Sequence, residues 1–240
     1  FFLPYDPYAM DASQKLKAPS VSHIFGADNL GRDIFSRTVL GVRYSLFFAA
    51  SALVLSFSAG CAVGLFSAFA PRLAQQVIMR LLDAVNAIPA SLLALALVTV
   101  FKKGAFPLIL SMAIVFFPSF VRISRNEALK IRELEYIQAA QAQGAGLCRI
   151  LLVHILPNIA SPLISTSVIV LTNAIMIESM LSYLGLGIQP PTPSLGRMMA
   201  ESQGFLLSAP WAALFPGGAI VLLAAGFHYL GDGILQGRAR

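Results

Sequence analysis

The chain has 240 residues, 57% of them hydrophobic and 12% charged, with a formal net charge of +6. Soluble domains carry about 25% charged residues, so a water-soluble globule is excluded. The positive residues are scattered between apolar runs, a pattern of loops beside lipid headgroups that argues against a nucleic-acid partner.

Residues 1–43 are mixed polar and contain Pro4, Pro7 and Pro19; they read as an irregular segment followed by a short helix near Asp33–Val39. Five uncharged stretches follow: Tyr44–Ala70, Ala84–Phe101 with Asp83 at its mouth, Gly104–Val121, Ile155–Ile177, and a run within Ser202–Phe227 starting near Pro210. Each is taken as a span, because about 20 apolar helical residues cross about 30 Å of hydrocarbon. Only helices and closed barrels satisfy a backbone in lipid, and the alternating pattern of a barrel is missing. Pro89, Pro118, Pro162 and Pro216 lie in or near the runs, where a bundle can satisfy the carbonyls they free. Ser51, Ala59, Gly60, Gly64 and Ser67 provide a surface for close helix approach. The expected fold is all-α, a polytopic transmembrane helical bundle with five visible spans.

The longest charged interruption is Arg122–His154. If it lies inside, alternation puts residues 71–80 and the C-terminus inside too, with residues 1–43, Lys102–Lys103 and 185–209 outside. Lys and Arg divide almost evenly between the two sides, so charge alone does not orient the chain. Within this interruption, residues 133–143 are good helix formers with apolar positions at Leu134, Ile137 and Ala140 or Gln141. Gly144 and Gly146 break or cap that helix, and an apolar helix resumes at Leu147 and meets Pro157. A short helix held at the membrane face can dock in the groove of a soluble partner; it can equally be a solvated linker.

Several motifs then carry a resemblance. Gln138-Ala139-Ala140, Gly144 and His154-Ile155-Leu156-Pro157 are similar to the EAA loop of ABC-importer permeases, E-A-A, three residues, G, nine residues, I-x-L-P. Gln138 stands for the acidic residue and His154 for the usual Ile. Phe25–Arg37 resembles the G-T-D-x-x-G-R-D-x-x-S-R segment of dipeptide, oligopeptide and nickel permeases, with Ala27 for Thr. Glu178–Gly196 resembles their E-x-x-L-S-F-L-G-L-G-x-x-P-P-x-P-x-W-G segment, with Leu195 for Trp. Residues 3–7 and 230–233 also fit, so the resemblance covers nearly the whole chain.

The resemblance implies a type I ABC-importer permease fold in the bacterial inner membrane, with a sixth span preceding residue 1. It implies an external segment over residues 1–43 and a permease domain over 44–240 with a coupling loop over 122–157. The implied coupling residues are Glu135, Gln138, Ala139, Ala140, Gly144, Ala145, Gly146, Leu156 and Pro157. The implied partners are a second homologous permease, two cytoplasmic ATPases, an extracytoplasmic solute-binding protein and membrane lipid. The implied solute is a peptide, nickel or a metallophore. No cofactor is expected on this chain; ATP and Mg²⁺ belong to the ATPases, since no G-x-x-x-x-G-K-[ST] sequence is present.

Glu178 is the one acid deep in an apolar region. It reads either as a translocation-path or gate residue, together with Ser182, or as a structural hydrogen-bond partner of a neighbouring helix. Asp28, Arg32, Asp33 and Arg37 read as a structural ion-pair segment, with Asp33 and Arg37 spaced to pair on a helix. His23, His154 and His228 have no ligand spacing, and Cys61 and Cys148 read as free thiols, so no metal site is expected. No nucleophile–base constellation supports an enzyme. An ATP-independent channel or ion-coupled carrier is the alternative, which Glu178, nearly alone, and the lack of a clear repeat support poorly.

Overall fold

The computed structural model describes residues 3–238, and the described residues form helices joined by short loops. We number them α1 (Ile34–Phe69), α2 (Arg72–Asn86), α3 (Ala90–Phe101), α4 (Ala105–Arg132), α5 (Glu135–Ala142), α6 (Leu147–Asn158), α7 (Ala160–Tyr183), α8 (Leu195–Ser202) and α9 (Trp211–Arg238). Four of them, α1, α4, α7 and α9, are long and apolar enough to cross a membrane. The pair α2 and α3 gives a fifth crossing if it counts as one broken span.

Packing centres on α1 and α4, which run parallel. Gly60 and Gly64 form a small-residue seam one turn apart on α1. A Cβ at Gly60 would sit 2.6 Å from Phe120 Cβ, and one at Gly64 would sit 2.6 Å from the Val121 carbonyl oxygen. Without side chains the two backbones approach closely, and van der Waals contact replaces the hydrophobic drive that lipid cannot supply. Ser67, also buried here, donates to the Gly64 carbonyl at 2.7 Å. Ala59 lies off this seam, exposed, and Ser51 is half-buried with its hydroxyl bonded to its own helix at Phe47 O.

α7 runs antiparallel to α1, with Glu178 near its end beside Ser45 near the start of α1. α9 runs antiparallel to α7, since Gly231 meets Val168. The loops therefore sort to two ends. At one end the residue 3–33 segment packs on α8 and the start of α9, with Phe25 stacked on Phe215 at 3.9 Å between ring centroids. At the other, Arg125 donates to Gln75 at 2.7 Å and Arg132 to the Ala68 carbonyl at 2.6 Å. This sorting agrees with the alternation read from the sequence.

Three expected boundaries move. The short helix near Asp33–Val39 is the first turn of α1, which continues unbroken for 36 residues, about 54 Å, well beyond the hydrocarbon thickness. Nothing between Val39 and Tyr44 breaks it, so Arg37 and Arg43 sit on a spanning helix rather than in a loop. The stretch Ala84–Phe101 is not a single helix. It bends by 91° between α2 and α3, at the residues leading into Pro89. Pro89 has no N–H to give the preceding turn, and α3 alone is 12 residues, about 18 Å. Finally, α4 runs through Pro118 and Val121 to Arg132, so the first part of the expected loop 122–157 is helix.

Gly64→Val should destabilise the detergent-solubilised chain by about 1–3 kcal/mol through overpacking against α4. Gly218→Ala on α9, where a Cβ meets nothing within 4 Å, should be tolerated. Thermal unfolding of both variants checks this; equal midpoints would deny the seam its role.

Candidate coupling loop and transport site

The expected coupling residues gather on the hairpin of α5 and α6, beyond the end of α4. α5 is almost wholly exposed, and Ile137, fully covered, is its one buried residue. Glu135, Gln138 and Ala139 face outward and Ala140 is half-buried. The apolar stripe read from the sequence narrows to Ile137, because Leu134 remains 46% exposed and Gln141 is exposed. The Gln138 amide turns back to donate to the Glu133 carbonyl at 3.2 Å.

The turn after α5 has a defined chemistry. Gly144 lies at φ +83°, a conformation that costs an L-residue roughly 1–2 kcal/mol. Its N–H donates to Gln141 O at 2.9 Å, and the Ala145 N–H to Ala140 O at 3.0 Å. These are the two bonds of a Schellman cap, which satisfies carbonyls the helix end would leave open. Ala145 packs against the main core and Gly146 leads into α6.

α6 contains a π turn over Ile150–Ile155, directly before Leu156 and Pro157. Pro157 cannot donate to the preceding turn, and its ring would crowd that turn's carbonyl, so the widened turn fits it. Ile150, Leu151 and Ile155 are buried, Leu156 packs on the core, and Pro157 is exposed. Asn158 donates to His154 O at 2.6 Å and reaches the Tyr136 hydroxyl at 3.4 Å, joining α6 to α5. His154 sits beside the Tyr136 ring. The sequence reading passed over this Tyr136–Asn158 link, which no spacing rule signals.

Glu178 is completely buried. Ser45 of α1 donates to Oε2 at 2.7 Å and Ser182, one turn along α7, to Oε1 at 2.7 Å. Gly187 lies directly over Ser182, where a Cβ would come within 2.0 Å of Oγ. The G-L-G segment thus folds back onto the end of α7, and Gly185 caps that helix at φ +75°. Ser45 was not singled out by sequence; a serine among apolar residues carries no distinctive signal.

At the same end of the molecule the charged segment forms a clamp. Asp28 accepts from Arg32 Nε at 2.6 Å and lies 3.6 Å from Arg37 Nε. Arg32 also reaches Glu201 of α8 at 3.2 Å, and Arg37 donates to Pro7 O at 3.1 Å. The expected Asp33–Arg37 pair does not form. Asp33 is instead the N-cap of α1, accepting from the Ser36 N–H at 2.7 Å, and its other oxygen meets His23 Nδ1 at 2.8 Å. A capping carboxylate points at the helix start, away from the residue one turn on.

His228 lies on α9 beside α7, and Cys61 and Cys148 line one apolar groove between α1 and α6. Among the described residues no three His, Cys, Asp or Glu side chains converge on a metal-sized site.

The long apolar helices, closed by glycine seams and carrying one projecting helical hairpin, define a polytopic membrane subunit. The family described as the binding-protein-dependent transport system inner membrane component matches residues 60–236, and the chain belongs to it. It is similar to a Brucella ovis protein described as a peptide permease, 39% identical over 235 residues that cover 97% of this chain and 78% of that protein. It is 40% identical over 225 residues to the dipeptide transport system permease protein DppC of Alkalihalophilus pseudofirmus, covering 92% of this chain and 73% of that one. It is 36% identical over 237 residues to the di/tripeptide permease DppC of Pseudomonas aeruginosa, covering 96% and 78%. Among solved structures, the inward-facing MetNI methionine ABC transporter matches with a TM-score of 0.70 at 19% identity, over 85% of this chain and 97% of that one. The fold is thus that of an ABC-importer permease, and the protein is a multi-pass inner-membrane transport component. This displaces the ion-coupled carrier reading.

Two outcomes follow from the site geometry. Glu178→Ala should cost about 1–3 kcal/mol by leaving the Ser45 and Ser182 hydroxyls without their acceptor, while Glu178→Gln should cost less; unfolding midpoints in detergent decide. Asp28→Ala should cost about 3–5 kcal/mol because buried Arg32 and Arg37 lose their common counter-charge. Asp33→Ala should cost about 0.5–2 kcal/mol through loss of the cap. The ranking of the two Asp variants is the check.

Proposed function

We propose that this chain is one of two permease subunits of an ATP-driven importer of peptides, with two cytoplasmic ATPases docking on the α5–α6 hairpin. An extracytoplasmic solute-binding protein delivers the solute at the opposite end, where residues 3–33 and α8 lie. The peptide assignment is supported by the names of the relatives above, which favour it over nickel or a metallophore. ATP and Mg²⁺ act on the ATPases.

The observation that carries the coupling assignment is the α5–α6 hairpin itself. Its first helix has Ile137 as its one buried residue and is tied to α6 by the Tyr136–Asn158 contact, and it offers Glu135, Gln138 and Ala139 to a partner groove. A rigid Schellman turn at Gly144 links it to α6, whose buried face joins the core. A push on α5 is thereby passed to the spans rather than absorbed in a flexible tether. Gln138 lacks the negative charge usual in the motif, so at this position docking relies on shape and neutral hydrogen bonds, and Glu135 is the exposed acid of the helix. Glu178 and Ser182 are assigned a brace between α1 and α7 near the outer end of the bundle.

The test is ATP-driven dipeptide uptake by proteoliposomes holding the complete complex. Gly144→Pro cannot adopt φ +83° and lacks the N–H bonded to Gln141, so it should lower dipeptide uptake at least about tenfold while the permease still inserts. Normal ATP-driven uptake by Gly144→Pro would remove the hairpin from coupling. ATP-driven uptake of nickel but not dipeptides would overturn the solute class alone.

A further inference from the structure

The bundle contains a second polar feature that the coupling hairpin and the Glu178 brace do not use. α7 and α9 flank a groove of about 230 Å³ lined by Ser165, Val168, Thr172, Asn173 and His228. Asn173 and His228 are exposed positions on spanning helices. Asn173 lies about 20 Å of helix from Ala160 and about 15 Å from Tyr183, near the middle of α7. At that depth a side-chain amide facing hydrocarbon has no water to bond, and leaving it unbonded costs several kcal/mol on hydrocarbon scales.

The other polar groups of the groove are in a different state. Thr172 Oγ1 donates to Val168 O at 3.1 Å and Ser165 Oγ to Ser161 O at 3.0 Å. Their protons are committed to the helix, which leaves oxygen lone pairs free to accept. The Asn173 amide has no hydrogen-bond partner among the described residues. The groove thus offers an amide with both donor and acceptor capacity beside two hydroxyl acceptors.

A second groove on the surface of the bundle is apolar by contrast. Between α1 and α4 it is lined by Phe47, Ala50, Val54, Leu55, Phe106 and Ile109, with Ser51 as its one polar member. Ser51 satisfies its proton on its own helix at Phe47 O. That surface asks nothing of its surroundings, whereas the Asn173 surface requires a hydrogen-bonding medium.

We propose that the α7–α9 groove around Thr172 and Asn173 lines the aqueous path through which the solute crosses the membrane. The Asn173 amide and the Thr172 and Ser165 hydroxyls serve as hydrogen-bond partners for a solute carrying amide or carboxylate groups. Ile169 and Met176, exposed one turn to either side of Asn173, give the path apolar walls for the solute's side chains. The assignment rests on the importer-subunit reading but not on which solute is carried.

The test uses the assembled importer in membrane vesicles, with Cys61 and Cys148 replaced by Ala and complex assembly and ATPase activity retained in that background. Single cysteines are introduced as Asn173→Cys, Thr172→Cys and, in the apolar α1–α4 groove, Val54→Cys. A membrane-impermeant cationic methanethiosulfonate is applied to nucleotide-free and vanadate-trapped complex. Its target is a thiolate, which forms in water and not in hydrocarbon, so Asn173→Cys and Thr172→Cys should react at least about tenfold faster than Val54→Cys, at rates that change between the two states. Reaction no faster than Val54→Cys in both states would overturn the proposal and assign the groove to lipid or to a helix of the neighbouring subunit. Labelling is independent of solute class, so failure of the peptide reading leaves this test intact.

Discussion

The structure depends on the cost of an unbonded polar group in hydrocarbon. Every spanning segment is helical because a helix alone satisfies its own backbone there, and a polar side chain left without a partner or water on a span carries a free-energy cost. Ser51, Ser58, Ser67, Thr99, Ser124 and Thr166 bond carbonyls of their own helices. Glu178, which cannot, takes two serine hydroxyls from α1 and α7 and so joins the bundle's central pair to its third helix. Thr38 Oγ1 and Ser111 Oγ are buried on the spans without a partner among the described residues, and Asn173 is left unbonded at the bundle's surface.

Apolar burial gives no preference for one helix face over another when lipid is as apolar as leucine, so contact geometry decides. The Gly60–Gly64 seam lets α1 and α4 touch backbone to side chain, and Gly231 does the same for α9 against Val168. At the end that carries residues 3–33 the solution is different. There the chain leaves the hydrocarbon and uses charge, with Asp28, Arg32, Arg37 and Glu201 binding the residue 3–33 segment to α8. At the opposite end a third device operates: a capped helix stands clear of the bundle on one buried isoleucine, leaving its surface for a partner.

These devices fit an importer subunit, in which one end must accept solute, the other must receive mechanical work, and the middle must rearrange without losing its hydrogen bonds. The α5–α6 hairpin has the stiffness for transmission, through the Schellman turn, the π turn before Pro157 and the Tyr136–Asn158 link. α2 and α3 meet at a 91° break, and α2 leaves Leu73, Val77 and Leu81 exposed.

The sequence by itself determined the class of fold and the order of its parts. Uncharged runs of span length and the near-absence of intramembrane charge dictate a helical bundle, because lipid permits little else. Gly144 was legible as a helix stop, since a glycine after a run of helix formers has few other uses. The motif resemblance singled out the α5–α6 hairpin and the residue 3–33 segment. Tertiary structure decided what one-dimensional patterns cannot express. A cap and an ion pair compete for the same carboxylate, so Asp33 went to the start of α1 and Arg37 to Asp28. The helix near Asp33 merged into the first span because Gly41, the weakest helix former between Val39 and Tyr44, is used inside the helix for close packing against Leu195. Glu178 acquired one of its two partners, Ser45, from 133 positions away. The uncovered face of α7 became visible only when its other faces were filled, because in helices apolar nearly all round, periodicity does not distinguish a face that meets lipid from one that meets water.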